Sequence, residues 1–250
     1  MSDILSIVVP VYNEASTVEA VVRRLLSIDL PIEREVVVVN DGSHDDTRRI
    51  LDGLHGISGR LTFLHIDQNR GKGYAVRLGL AQARGTIVVI QDADLELDPV
   101  QLGMLVQPVI RRESEVVFGS RFITHSRGVP VLTVAANLLL TAFANLLYGS
   151  KLTDVETCYK VMRVEVARSL GLTANGFDID PEIAARLLRA EHRIIELPVT
   201  FQPRSRAEGK KIGWGDGLAA LAMLLRHRFT APGRRETRAR QTVAPSSEPL

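Results

Sequence analysis

Residues 87–99 read IVVIQDADLELDP, and the fold turns on that stretch. Ile87, Val88, Val89 and Ile90 form a short unbroken apolar run after a turn at Gly85, the pattern of a strand buried on both faces. The run stops at carboxylates: Asp92, Asp94, Glu96 and Asp98 stand at every second position. On an extended strand end this spacing places alternate side chains on one side. Clustered carboxylate oxygen is what a hard divalent cation requires, and such a cation usually brings a phosphate with it. The expectation is a metal–diphosphate site at the carboxyl end of a central strand. A plainer role for the same residues is an acidic turn capping the next helix, with Pro99 at its first position.

Upstream, the chain alternates strand and helix. Residues 5–11 are β-branched and read as a strand that stops near Pro10. Ser16, Thr17 and Glu19 resemble a capping box, and Val18, Val21, Val22, Leu25 and Leu26 recur at helical spacing. Residues 35–40 give a second buried strand ending in Asp41, Gly42 and Ser43, and Ser43 and Asp46 open a helix carrying Ile50, Leu51 and Leu54. Residues 61–66 give a third strand. The glycine-rich basic loop NRGKG (69–73) leads into a further helix. Alternation of this kind predicts a mostly parallel sheet covered on both faces. Ligands of such sheets sit outside the carboxyl ends of the strands. Four polar tips fall there: 12–14, 41–43, 69–73 and 92–96.

The NRGKG loop is neither of two familiar phosphate motifs. Lys72 is followed by Gly73 and has no glycine five residues before it, so it is not a P-loop lysine. Val76 stands where a dinucleotide fingerprint has its third glycine. Lys72 is left with two readings, a phosphate contact or a solvated loop lysine.

Downstream, residues 115–119 read as a strand ending in Ser120 and Arg121, and an arginine at a strand tip suits an anion. Residues 128–150 carry no charge, a length that reaches the range of a membrane span. Thr133, Asn137, Thr141 and Asn145 draw one polar stripe down this helix. The stripe favours core burial or a membrane interface over a full span. Asp154 and Glu156 sit near Cys158 and Tyr159, and a helix covers 165–170. Asp180 before Pro181 reads as a helix N-cap. Residues 193–201 form a strand whose proline suggests an edge. A basic loop over 203–213 precedes an apolar helix over 215–229, and residues 230–250 read as a disordered tail.

Composition bounds the rest. The chain has 250 residues, 45% apolar and 24% charged, with a net charge of +2, which is ordinary for a globular protein and no sign of a nucleic-acid partner. Cys158 is the sole cysteine, so an intramolecular disulfide and a cysteine metal cluster are both excluded. No leader-like segment opens the sequence, and a cytoplasmic setting is expected.

Seven stretches, in order, resemble the family-2 glycosyltransferases, in particular the dolichyl- and polyprenyl-phosphate sugar synthases: VVPVYNE (8–14), VVNDGSHDDT (38–47), NRGKGYAVRLGL (69–80), QDADLELDP (91–99), GSR (119–121), TDVETCYKVMR (153–163) and EGKKIGW (208–214). The resemblance implies a GT-A fold in a single domain over 1–229, with a Rossmann-like nucleotide half to about 125 and an acceptor half beyond. It implies that Pro10, Tyr12, Glu14, Val39 and Asp41 hold the base and ribose, and that Asp92 and Ala93 contact the nucleotide-sugar. Asp94 and Glu96 would ligate Mg²⁺ or Mn²⁺; the synthases often carry Gln at the position of Glu96. Arg121, Arg204 and Lys210 would grip phosphates, with Lys72 a further candidate there. Asp92, Asp94 and Arg121 are the expected catalytic set. The implied reaction is inverting transfer from GDP-mannose or a UDP-hexose to a polyprenyl or dolichyl phosphate, on the cytoplasmic face of a membrane and in peripheral contact with it. The alternatives are a soluble transferase acting on a saccharide or small hydroxyl acceptor, with Asp154 or Glu156 as base, and an inactive nucleotide-sugar-binding protein.

Overall fold

The computed structural model describes residues 3–123, 131–204 and 214–229. Lys210, most of the basic loop, and the tail from 230 lie outside the described residues. The strands are β1 (Ile4–Val11), β2 (Glu33–Asp41), β3 (Leu61–Ile66), β4 (Ile87–Ile90), β5 (Val116–Ser120), β6 (Lys160–Arg163) and β7 (Ile194–Pro198). The helices are α1 (Val18–Ser27), α2 (Thr47–Asp52), α3 (Lys72–Gln82), α4 (Leu102–Leu105), α5 (Gln107–Ile110), α6 (Val131–Tyr148), α7 (Val164–Ser169), α8 (Ile179–Arg189) and α9 (Trp214–Phe229).

The strands form one seven-stranded sheet in the order β3-β2-β1-β4-β6-β5-β7. Its centre follows from the apolar runs: Val36–Val39 of β2 and all of β4 are buried, and β1 is buried from Leu5 to Val9. With both faces covered by helices, a strand must be apolar on both sides. β1, β2, β3 and β4 pair in parallel. The sheet is thus mixed α/β and mostly parallel, with one exception. β6 runs antiparallel to both β4 and β5. It lies inside TDVETCYKVMR, where four residues beginning with a lysine give no strand pattern. β7 sits at the sheet edge beside β5, where Pro198 removes no ladder donor that a neighbour needs.

Several local expectations change on folding. The capping box does not form: Thr17 Oγ1 donates to Glu14 Oε2 at 2.9 Å, and Glu19 pairs with Arg23 at 2.9 Å. Asp98 accepts from the Val100 amide at 3.0 Å, with Pro99 just after it, and meets Arg24 at 3.3 Å. The capping role therefore holds for Asp98 alone among the four carboxylates. Asp180 is not a cap either. α8 begins one residue earlier, and Asp180 is buried in its first turn.

α6 inverts the usual arrangement of a surface helix. Its polar stripe faces the protein: Asn137 Oδ1 accepts from Arg121 Nη2 at 3.3 Å, Thr141 Oγ1 from the Val155 amide at 3.4 Å, and Asn145 Oδ1 from the Leu152 amide at 2.9 Å. Its apolar face points outward. Val131, Leu132, Leu138, Leu139 and Leu146 are exposed, the last by 82%. α9 packs beside α6, tied by Tyr148 Oη to the Leu224 carbonyl at 2.8 Å and by Arg228 Nε to the Leu147 carbonyl at 2.8 Å. It adds exposed Leu218, Leu225 and Phe229, with Arg226 and Arg228 in its last turn.

Candidate active site

A cavity of about 320 Å³ opens at the carboxyl ends of β1, β2 and β4, where an open α/β sheet places its ligands. Pro10, Tyr12 and Glu14 from the β1 tip, Asp41 from β2, Lys72 from α3, and Asp92, Ala93, Asp94 and Glu96 after β4 all line it. So do Arg121 after β5 and Arg204 after β7. Val39 is placed elsewhere. It is fully buried in a small cluster with Val37 and Ala75, beneath the cavity wall.

Backbone amides and glycines set one wall. Asp41 accepts from the Arg70 amide at 2.9 Å and the Gly71 amide at 2.7 Å, which fixes the basic loop above the β2 tip. The loop then crosses the 174–176 backbone. Gly73 donates to the Asn175 carbonyl at 2.7 Å, and a Cβ on Gly73 would meet the Ala174 carbonyl oxygen at 2.5 Å. Gly71 holds φ +95°, a conformation that side chains disfavour. The glycines serve this close approach, and Lys72 between them points into the cleft. It is not a solvated lysine: Nζ meets Asp92 at 2.9 Å and Asp180 at 3.0 Å. Burial alone would push Lys72 down, but Asp180 and Asp92 hold it above the ordinary lysine range.

The carboxylate turn after β4 is not an extended strand end. Leu95 takes φ 60°, and the turn is braced from below. Buried Gln91 donates to the Asp92 carbonyl at 3.0 Å, while Tyr159 Oη donates to Gln91 Oε1 at 2.6 Å. This bend brings Asp92, Asp94 and Glu96 together on the cavity wall and sends Asp98 away. Asp94 Oδ1 accepts from the Glu96 amide at 3.1 Å. Burial, then the charges of Asp92 and Glu96, push Asp94 up to about 7. A carboxyl raised by burial and by neighbouring carboxylates is short of positive charge even with Arg204 3.6 Å away, and a divalent cation would supply more. Asp92 is engaged by Lys72, and Asp94 and Glu96 line the cavity beside it, where their hard oxygen donors fit Mg²⁺ or Mn²⁺.

Arg204 closes the same wall. Its guanidinium grips Glu14 with both Nη atoms at 3.0 Å, lies 3.6 Å from Asp94, and its amide donates to Glu96 Oε1 at 2.7 Å. Arg121 is equally committed. It chelates buried Asp154 through Nε at 2.7 Å and Nη2 at 2.8 Å, and Phe201 lies 5.3 Å from its guanidinium carbon. Burial opposes its charge, but Asp154 holds it above the ordinary arginine range.

Sequence reading assigned no site role to Thr157, Cys158, Phe177 or Phe201, which also line the cleft, and none to Lys160. Lys160 is fully buried, 3.1 Å from Asp180 and bonded to the Thr157 carbonyl. Its one available signal was its charge amid apolar neighbours. Asp180 is held low, because Lys160 and Lys72 outweigh the cost of its burial.

A second group of conceivable ligands, Asp52, His55 and His65, lies away from the cleft. The Ser43 amide donates to Asn40 Oδ1 at 3.2 Å, so the Asn40 amide nitrogen faces His65 Nδ1 at 3.2 Å as a donor. That leaves the proton of neutral His65 on Nε2, 3.4 Å from Asp52. A nitrogen carrying its proton toward a carboxylate is not a metal ligand.

A model of glycosyl transferase family 2 matches residues 6–171. The chain belongs to that family. It is 33% identical to the glycosyltransferase AglD of Haloferax volcanii over 80% of this chain and 33% of that one. It is 29% identical to the undecaprenyl-phosphate mannosyltransferase of Micrococcus luteus over 82% of this chain and 86% of that one. It is 28% identical to the dolichol-phosphate mannosyltransferase of Pyrococcus furiosus over 84% of this chain and 59% of that one. The chain thus spans 33% of the archaeal AglD and 59% of the Pyrococcus enzyme. A solved structure of glucosyl-3-phosphoglycerate synthase from Mycobacterium tuberculosis, holding Mn²⁺, UDP and phosphoglyceric acid, superposes with a TM-score of 0.69 at 22% identity, covering 92% of this chain and 80% of that one. The fold is therefore the GT-A fold.

Proposed function

We propose that this glycosyltransferase moves a hexosyl group from a nucleotide-sugar, GDP-mannose or a UDP-hexose, to the phosphate of a polyprenyl lipid, with inversion. The observation that carries the reading is the join between cleft and helix: Arg121, in the cleft wall, bonds to Asn137 on α6, whose opposite face is exposed and apolar. One molecule lying along α6 with its polar end in the cleft must have a long apolar body and a charged head. The lipid-phosphate acceptors named for the Micrococcus and Pyrococcus relatives have that form.

In this reading, Pro10, Tyr12 and Asp41 seat the nucleoside, and Asp92 and Ala93 contact the donor sugar. Asp94 and Glu96 would hold Mg²⁺ or Mn²⁺, which neutralises charge building on the diphosphate leaving group. Arg204 leaves Glu14 for the diphosphate, joined by Lys210. An acceptor phosphate oxygen bonds to the anomeric carbon from the face opposite the diphosphate. The carbon–oxygen bond to the diphosphate breaks, and its electron pair leaves with the nucleotide. A phosphate oxygen is already ionised near neutral pH, so this acceptor needs no strong base.

α6 is long and apolar enough to cross a bilayer by length and composition. Its polar stripe is spent on bonds to 121, 152 and 155, which favours a helix lying in the cytoplasmic membrane interface with α9 beside it. Arg226 and Arg228 in the last turn of α9 suit anionic headgroups.

The test is a donor panel: the protein, Mg²⁺ or Mn²⁺, a short polyprenyl phosphate and each common nucleotide-sugar, with products resolved by mass spectrometry. A glycosyl lipid phosphate from one donor is the expected result. Donor cleavage without lipid product moves the acceptor to a hydroxyl compound. That second reading has one observation in its favour, a cleft carboxyl at Glu156 with no ion pair among the described residues and no hydrogen-bond partner on its buried Oε1.

A further inference from the structure

Glu156 differs from Asp154, Asp92 and Asp180. Asp154 is chelated by Arg121, Asp92 is paired with Lys72, and Asp180 is shared by Lys72 and Lys160. Three cations thus neutralise three carboxylates, and Glu156 has no share in those pairs. It lines the cavity, its Oε1 is buried with no hydrogen-bond partner, and it forms no ion pair among the described residues. A buried polar atom with no partner is costly unless a ligand completes it. The segment carrying Glu156 is stitched to α6, through Val155 to Thr141 and through Leu152 to Asn145. Glu156 therefore belongs to the wall beside the apolar helix, not to the wall formed by the tips of β1 and β2.

Resting on the lipid-phosphate reading, we propose that Glu156 receives the head of the acceptor, donating a hydrogen bond from its neutral carboxyl to a non-attacking oxygen of the acceptor phosphate. The charges around it permit that form. Burial, followed by the negative charge of Asp180, pushes Glu156 up to about 7; Lys160 and Arg121 pull the other way, and Asp154 adds to the rise. The remaining ionisable groups of the cleft near it, Lys72, Asp92 and Cys158, are either paired with each other or, for the thiol, held neutral by burial. A neutral carboxyl accepts a phosphate as a neighbour, whereas a carboxylate repels it. Below about pH 7 the carboxyl donates; above it, the charge that appears faces the incoming anion.

The experiment compares the full chain with Glu156→Gln, using farnesyl phosphate as the probe. Equilibrium binding is followed by calorimetry from pH 5.5 to 8.5, and acceptor KM and kcat are measured with the donor identified by the panel. Glutamine keeps a donor that does not titrate. The second ionisation of farnesyl phosphate is common to both proteins and cancels in their ratio. The expected result is wild-type affinity falling about tenfold relative to Glu156→Gln between pH 6 and 8, with donor KM equal in the two. A constant ratio across that range overturns the proposal. So does a Glu156→Gln loss of about 100-fold in kcat at unchanged acceptor KM, the mark of a general base for a hydroxyl acceptor. If the wild type neither binds nor glycosylates farnesyl phosphate at any pH, the lipid-phosphate reading itself falls, and with it the role of Glu156. Binding and turnover that both persist with an unaltered ratio remove Glu156 alone.

Discussion

The two walls of the cleft are built by different physics. On the β1–β2–α3 side, backbone does the positioning: Asp41 is held by two amides, and Gly73 bonds directly to the Asn175 carbonyl. On the side of β5, β6 and α6, charge does it: Arg121 is chelated by a buried Asp154, and Lys160 is buried against Asp180. The first arrangement is rigid and local, and suits a ligand of constant shape such as a nucleotide. The second keeps cations and acids in balance beside an exposed apolar helix, and suits a charged head on a variable apolar tail. The carboxylate turn after β4 lies between them.

That contrast is open to attack at four points. The largest effect belongs to the turn. Asp94→Ala should lower glycosyl transfer by at least about 10²–10³-fold without lowering the melting temperature, since it removes one of three crowded acids. Wild-type turnover in that variant would take the metal out of the site. Next, Asp180→Ala strikes the pairing shared by the two walls. It leaves Lys160 and part of Lys72 uncompensated in the interior, at a cost of about 3–5 kcal/mol in urea unfolding. A loss of less than about 1 kcal/mol would mean that water already screens the cluster.

Gly73→Ala tests the backbone join. A methyl group against the Ala174 carbonyl forces the loop and the 174–176 segment apart, costing about 1–3 kcal/mol, and nucleotide affinity should fall with it. If calorimetry finds nucleotide affinity intact, the loop is not part of the nucleotide wall. The smallest effect on folding belongs to α6. Leu139→Lys with Leu146→Lys, both on its exposed face, should change stability by no more than about 0.5 kcal/mol. Pelleting with vesicles of mixed anionic and neutral lipid should nevertheless be lost. Pelleting that survives would assign the face to some other partner.

Much of the first wall, and of the turn between the walls, was legible in the sequence because each part is local. A buried apolar run followed by Asp92, Asp94 and Glu96 announces a strand tip, and NRGKG announces a tight loop. Val39 shows the limit of that reasoning: it stands in a matching stretch, yet alternation along β2 turns it into the core beneath Ala75. The second wall was less legible. β6 is four residues long and begins with Lys160, so no period marks it, and its pairing is set by strands far away in sequence. Asp180 looked like a cap because an Asp–Pro pair usually is one; only the arrival of Lys72 and Lys160 makes it an ion-pair centre.

The sequence by itself determined the parallel strand–helix framework, the edge at which the polar tips gather, and the family, because hydrophobic period and short motifs are properties of neighbours along the chain. Tertiary structure alone decided which charges are spent and which are left over. It paired Lys72, Arg121 and Arg204 with acids from remote segments and, among the described residues, left Glu156 outside every ion pair. It also turned the polar stripe of α6 inward, because the nearest partners for those side chains are the backbone and the arginine of the second wall. The energy of a buried charge depends on what stands across from it, and a linear sequence does not contain that distance.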